Sequence, residues 1–197
     1  YLVRTGRIHF DHFGVRCAAN GIFPKQDTAA LQIRARVAND GSRTETVGVL
    51  HKLYDAEGEL VSTSGISLRL EPGGISDCMV SPSVDAPHLW SDEEPYLYTL
   101  VSTVIVDGQA VDEVSCRTGI RTAAFDADRG FLLNGKTVKI KGMCVHHDCG
   151  LTGAVGYRES WERRLLELKD MGCNGIRCSH NPPAPALLEL CDELGFL

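Results

Sequence analysis

Two kinds of hydrophobic spacing divide the chain near residue 120. Before it, apolar and polar positions alternate. Leu31-Gln32-Ile33-Arg34-Ala35-Arg36-Val37-Ala38 places Leu, Ile, Ala and Val on one face and Gln and both Arg on the other, the period-two pattern of a half-buried strand. Asn39-Asp40-Gly41-Ser42 follows as a turn. Thr46–Tyr54, Leu60–Leu70, Ile75–Val80, Tyr96–Val106 and Ala110–Arg117 read as strands in the same way. Asp107-Gly108, set between two of these runs, is a strong hairpin signal. Short strands broken by turns every 8–12 residues or so, with no helical period, predict an antiparallel sandwich over residues 14–120. Residues 1–13 read as a lead-in linker.

After residue 120 strand and helix alternate. Val138–Val145 reads as a strand, and Ser160 can cap a helix over Trp161–Met171 that Gly172 ends. Trp161, Leu165, Leu168 and Met171 recur at helical spacing. Cys173–Cys178 reads as a second strand. Pro182, Pro183 and Pro185 lead into a second helix, Ala186–Leu194, with Leu187, Leu190, Cys191 and Leu194 as its apolar positions and Gly195 as its stop. Phe196-Leu197 begins a third strand. This order calls for parallel strands joined by crossover helices. The expected fold class is therefore a multidomain β plus α/β chain: a sandwich that is immunoglobulin-like in architecture only, since no Cys…Trp…Cys spacing of the antibody kind is present, then an α/β part over 121–197.

Composition narrows the field. The 197 residues carry 20 Lys+Arg against 26 Asp+Glu, a formal net charge of −6, and 43% are hydrophobic. That apolar share is ordinary for a globular chain. The negative balance argues against nucleic acid or an anionic membrane as partner, and no run of about 18 apolar residues could form a spanning helix. Eight Cys could pair, but a chain of this length needs no staples, and most of them fall inside runs that read as buried elements. Reduced thiols and a cytoplasmic protein are expected. The chain opens on Tyr1 and stops at the start of a strand, so it is expected to be a piece of a longer protein. It shows no internal repeat, no low-complexity tract and no Gly-rich phosphate loop.

Four motifs in order carry a resemblance. Leu89-Trp90-Ser91-Asp92-Glu93-Glu94-Pro95-Tyr96-Leu97-Tyr98-Thr99-Leu100 resembles the last-strand region of the sandwich in family-two glycoside hydrolases, the β-galactosidase and β-glucuronidase group. Thr118–Arg121 with Gly130–Lys136 resembles the junction into their catalytic barrel. Lys141-Gly142-Met143-Cys144-Val145-His146-His147-Asp148 and Ile176-Arg177-Cys178-Ser179-His180-Asn181-Pro182-Pro183 resemble the ends of the first two barrel strands. The resemblance implies the opening of a (β/α)₈ barrel, about two and a half βα units at roughly 31 residues each. It implies an exo-acting enzyme that cleaves a terminal β-linked sugar with retention, using two Glu about 5–5.5 Å apart as nucleophile and acid/base. Both lie on later barrel strands of the family, so this piece is expected to be inactive alone. Glu159, Glu162, Glu167, Glu189 and Glu193 sit on predicted helix faces and do not replace them.

The resemblance also assigns roles. His146 and Asp148 would bind sugar hydroxyls beside the cleaved bond, His180 would do likewise, and Arg177 would brace the catalytic carboxylates. Asn181 is a further substrate-binding candidate, with a turn-forming role before Pro182 equally open. All lie at C-terminal strand ends, where barrel chemistry gathers. Imidazole and carboxylate suit hydroxyls that both donate and accept, and Arg can fork to a carboxylate. Cys144 stands where many relatives carry Asn. No organic cofactor is implied. Relatives sometimes use Mg²⁺ or Na⁺, but no carboxylate cluster here argues for either. A second reading places Cys144, His146 and Asp148 on one strand face and Cys178 and His180 on the next, a set that could close a tetrahedral zinc site. Trp161 is expected in the core, with a sugar-stacking role as the lesser alternative. The expected partners are a β-linked galactoside or related glycoside and the remaining barrel of the same chain, with a homo-oligomer left open. A β-glucuronidase, a β-mannosidase and a non-catalytic sandwich module binding carbohydrate or protein are the alternatives.

Overall fold

The computed structural model describes residues 2–197. By its internal contacts the chain forms two units: the stretch up to Pro87 with Tyr98–Ile120, and His88–Leu97 with Arg121–Leu197.

The first unit holds β1 (Ile8–Phe23), β2 (Thr28–Asn39), β3 (Glu45–Tyr54), β4 (Leu60–Leu70), β5 (Ile75–Val80), β6 (Ser83–Asp85), β7 (Tyr98–Val106) and β8 (Gln109–Thr118). One sheet runs β1-β2-β5 with β6 also on β2, and the other runs β4-β3-β7-β8; every pairing is antiparallel. The alternation read from sequence sets the buried faces. Ala29, Leu31, Ile33, Ala35 and Val37 of β2 point inward, as do Val47, Val49 and Leu53 of β3. Phe10, Ala35, Val37 and Cys78 from one sheet pack against Val47, Val49, Leu70 and Val104 from the other, which makes the pair of sheets a sandwich. The β7–β8 hairpin closes on Asp107 (φ 50°) and Gly108 (φ 78°), with Val106 opposite Gln109. Two positive φ angles in a two-residue loop are what this turn demands.

Two boundaries differ from expectation. The stretch read as a lead-in contains strand from Ile8 onward, and Phe10 is core. A register break between Phe10 and Val15, with Phe13 at φ 51°, interrupts the alternation there, so the period-two signal is lost. Residues 88–97, read as sandwich, belong to the second unit. The Trp90 carbonyl accepts from Asn134 Nδ2 (3.0 Å), its Nε1 donates to the Asp192 carbonyl (2.7 Å), and the Arg121 guanidinium lies 4.0 Å from its ring centre.

In the second unit β9 (Ala123–Asp126), β10 (Gly130–Leu133) and β11 (Lys136–Thr137) form an antiparallel meander. β12 (Gly142–His146) and β13 (Gly175–Ser179) then pair in parallel, with α1 (Arg158–Asp170) between them and α2 (Pro185–Leu194) after them. The single strand expected over Val138–Val145 is thus shorter, and β11 precedes it. Helix α1 starts earlier than expected: the Tyr157 carbonyl accepts from the Ser160 and Trp161 amides, Tyr157 is the N-cap residue, and Ser160 sits inside the first turn. Met171 falls beyond the last helical residue and is exposed. Helix α2 ends at Gly195 in the left-handed conformation, as read. Lys169 Nζ donates to the Leu194 carbonyl (2.6 Å) and the Gly195 carbonyl (3.1 Å), satisfying acceptors the helix end leaves open. The Leu197 amide donates to the Asn174 carbonyl (2.8 Å) and its carbonyl accepts from Ile176 (2.9 Å), placing Leu197 along the free edge of β13.

Buried Asn174 joins three segments of this unit. Its Oδ1 accepts from the Lys141 amide (2.7 Å), and its Nδ2 donates to Asp92 Oδ2 (2.7 Å) and the Lys139 carbonyl (3.2 Å). Gly142 and Gly175 face each other in the β12–β13 ladder, and a Cβ on Gly142 would sit 3.2 Å from the Gly175 carbonyl oxygen. A side chain at 142 would press on β13, and one at 175 would meet Ile140 and the Leu197 carbonyl.

Candidate functional site

The parallel register decides which side chains meet. Cys144 pairs with Arg177 and His146 with Ser179, so these four point to one side of the sheet. Val145 pairs with Cys178, and both point to the other side. There Val145, Trp161, Leu165, Leu187, Leu190, Cys191 and Phe196 form the core under the two helices, with Cys178 packed against it. The helix side is closed, and the opposite side exposes Cys144, His146 and Arg177.

On that open side the guanidinium of Arg177 organises its neighbours. Nη1 donates to Ser179 Oγ (2.8 Å) and, more weakly, to Cys144 Sγ (3.8 Å), while Nη2 lies 3.2 Å from His180 Nδ1. A guanidinium can only donate, so Nδ1 of His180 is the acceptor and Nε2 carries the proton. His180 therefore presents an N–H donor. Its ring meets that of His146 edge to face, with centroids 6.2 Å apart. The Ser179 hydroxyl and the Arg177 guanidinium hold the Cys144 thiol below its ordinary range.

His146, Arg177 and His180 are thus brought together at the C-terminal ends of β12 and β13. Asp148 stands two residues beyond β12, exposed. Its amide donates to the His146 carbonyl (2.7 Å) and its Oδ1 accepts from the Gly150 amide (3.1 Å). Asn181 borders a cleft shared with Val145, His147, Trp161, Cys178 and Ser179, whose roughly 10 Å³ is far too small for a sugar ring. The five Glu set aside earlier lie on α1 and α2, and Arg158 pairs with both Glu189 (3.7 Å) and Glu193.

The zinc reading fails on register. Cys178 faces the helix core and Cys144 the open side, so the two thiols are separated by the sheet itself. Period-two spacing held for Cys144 and His146 but not on the second strand, where Cys178 faces the helices while His180, just past the end of β13, meets Arg177 and His146 on the open side. Among the described residues no group of three or more His, Cys, Asp or Glu stands together as a metal site of that kind would need. The sugar-stacking alternative for Trp161 also fails, because its ring is fully buried.

Sequence reading passed over Ser179 and Arg164. Ser179 is buried and holds Arg177 in place, yet a strand-end Ser has no sequence signal without the register. Arg164 donates to the Asp148 carbonyl (2.7 Å). It lies three residues after Trp161 on α1, a spacing that could have flagged it.

Comparison with known proteins agrees with this architecture. The family model for glycosyl hydrolases family 2 matches residues 19–121, and the model for the family 2 TIM barrel domain matches residues 127–197. The chain is 43% identical over its whole length to the beta-galactosidase BoGH2A of Bacteroides ovatus, and spans 23% of that protein. It is 32% identical to a beta-glucuronidase of Bacteroides fragilis over 58% of this chain and 16% of that one. Among solved structures, a glycosyl hydrolase family 2 member from Bacteroides cellulosilyticus superposes with a TM-score of 0.91 at 36% identity, over 98% of this chain and 26% of that one. The Bacteroides uniformis beta-glucuronidase does so with a TM-score of 0.87 at 33% identity, over 98% and 24%. With its sandwich and the opening of its barrel both matched in order, the chain belongs to glycosyl hydrolases family 2.

Proposed function

We propose that this chain is part of a retaining, exo-acting glycoside hydrolase that cleaves β-linked galactosides and needs no organic cofactor. The observation that carries the reading is the cluster of His146, Arg177 and His180 at the C-terminal ends of two adjacent parallel strands, the end of a barrel where chemistry gathers. His180 Nε2–H would donate to a sugar oxygen. His146 and the free lone pairs of Asp148 would engage neighbouring hydroxyls. The outward N–H groups of Arg177 would hold a carboxylate ionised. The catalytic pair of carboxylates would come from barrel strands outside these residues. The choice of galactoside rests on the beta-galactosidase matched at 43% identity over the whole chain.

The test is turnover by the whole enzyme on aryl β-galactoside, β-glucuronide and β-mannoside, with the anomer of the first product read by NMR. Galactoside turnover at least about tenfold above the others, a difference of about 1.4 kcal/mol, with retention, is expected. The chain of residues 1–197 alone is expected to turn over none. A preference for the glucuronide moves the reading to that sugar. Sugar binding without hydrolysis leaves only a carbohydrate-binding module.

A further inference from the structure

Asp148 lies on the loop between β12 and α1. Local bonds shape that loop. The Cys149 amide donates to the Gly153 carbonyl (2.7 Å), the Gly153 amide to the Gly150 carbonyl (3.0 Å), and Thr152 Oγ1 to the Val155 carbonyl (2.7 Å). Such turns give the loop a shape, and Cys149 packs against the helix-side core. The polar tie at Asp148 comes from α1. Arg164 Nη2 donates to the Asp148 carbonyl at 2.7 Å, while its Cζ lies 5.0 Å from the centre of the Trp161 ring. Trp161 is fully buried in the helix-side core, so the platform under the guanidinium is rigid. The same indole meets the His147 ring at 5.3 Å, and a Cβ on Gly156 would overlap its Nε1. Both ends of the loop therefore rest on Trp161, and Arg164 reaches from it to the residue that matters.

We propose that Arg164 is a positioning residue for Asp148: the guanidinium, aligned by the Trp161 face, holds the Asp148 backbone so that its carboxylate meets the sugar at the strand-end rim. The Arg164 guanidinium sits over the Trp161 ring, a cation–π contact that limits where its N–H groups can reach, and a carbonyl tethered at one atom still leaves the carboxylate free for a ligand. This inference rests on the reading of Asp148 as a sugar-binding residue.

The test has two readouts on Arg164→Ala and Arg164→Lys. In the chain of residues 1–197, hydrogen exchange of the Cys149 and Gly153 amides should quicken by about tenfold or more in the Ala variant, with the Ile176 amide in β13 unchanged and partial recovery with Lys. In the whole enzyme, KM should rise by about tenfold while kcat stays within about threefold, the sign of lost binding without lost chemistry. Unchanged loop exchange overturns the proposal, and so does faster exchange with KM unmoved. If Ala at 164 also loosens β13, the same comparison is made between Arg164→Gln and Arg164→Lys, which keep the aliphatic stem. The failure of the functional reading is seen elsewhere, in wild-type enzyme that cleaves no β-glycoside.

Discussion

The two units treat an inward-pointing polar side chain in opposite ways. In the sandwich, His51 of β3 stands at a core position and is almost wholly buried. Its Nδ1 meets Ser102 Oγ at 2.8 Å, its register partner on β7, and burial pushes its pKa down to about 4. In the barrel opening, Cys144, His146 and Arg177 also point to one side of a sheet, but that side stays exposed and their polar atoms are arranged around a shared rim. The alternation rule is the same in both. The sandwich has a second sheet to close over its inner face. The parallel pair has helices over one face, and the polar cluster lies on the other, at the C-terminal strand ends.

Four measurements would break or sharpen this contrast. Both Trp, Trp90 and Trp161, lie in the second unit, so tryptophan fluorescence follows that unit alone. Leu165→Ala, at a fully buried site under the helices, should cost about 3 kcal/mol in the fluorescence-detected urea transition. Leu100→Ala, fully buried in the sandwich, should instead leave the fluorescence transition in place and move only the sandwich part of the far-UV circular dichroism, to which the helices of the second unit also contribute. Equal shifts of both signals in either variant would mean the units unfold as one, and the comparison would collapse.

His51 comes next. The folded sandwich holds it neutral, and unfolding restores an ordinary histidine. Its contribution to stability is therefore complete above pH about 6.5, falls as the pH drops, and is gone below about 4, for a loss of about 3 kcal/mol. The urea stability of the wild type should fall more steeply between pH 7 and 4 than that of His51→Gln. Parallel curves would show that this imidazole titrates freely.

Thiol chemistry should separate the open rim from the buried interiors more modestly. Cys144 is exposed with its pKa lowered by Ser179 and Arg177, whereas burial raises Cys17 to about 11 and Cys191 to about 12. Alkylation at pH 7.5, followed by peptide mass spectrometry, should label Cys144 at least about 30-fold faster than Cys17. Comparable rates would mean that Arg177 does not reach the thiol. The smallest effect is expected at the hairpin. Gly108→Ala, at φ 78°, should cost about 1 kcal/mol in the sandwich transition alone.

Much of this was legible from the chain itself. The alternation in β2 to β5, the Asp107-Gly108 turn and the Gly195 stop were readable because each depends on neighbours within a few residues. The candidate site was readable only as residue types at expected strand ends. Arg164 and Ser179 were not, because each matters only through a partner on another element. The lead-in boundary failed where a bulge at Phe13 broke the period.

The amino-acid sequence by itself determined the elements and their faces, since period and turn chemistry are local properties of the backbone. Only the tertiary structure decided the register of β12 against β13. That register put Cys178 into the helix core and left Cys144 beside Arg177. Tertiary contacts also seated Trp90 in the second unit, against Asn134, Asp192 and Arg121. Pairing two strands is a long-range choice, made by the glycines that let them approach, the Asn174 bonds that pin their starts, and the core that covers one side.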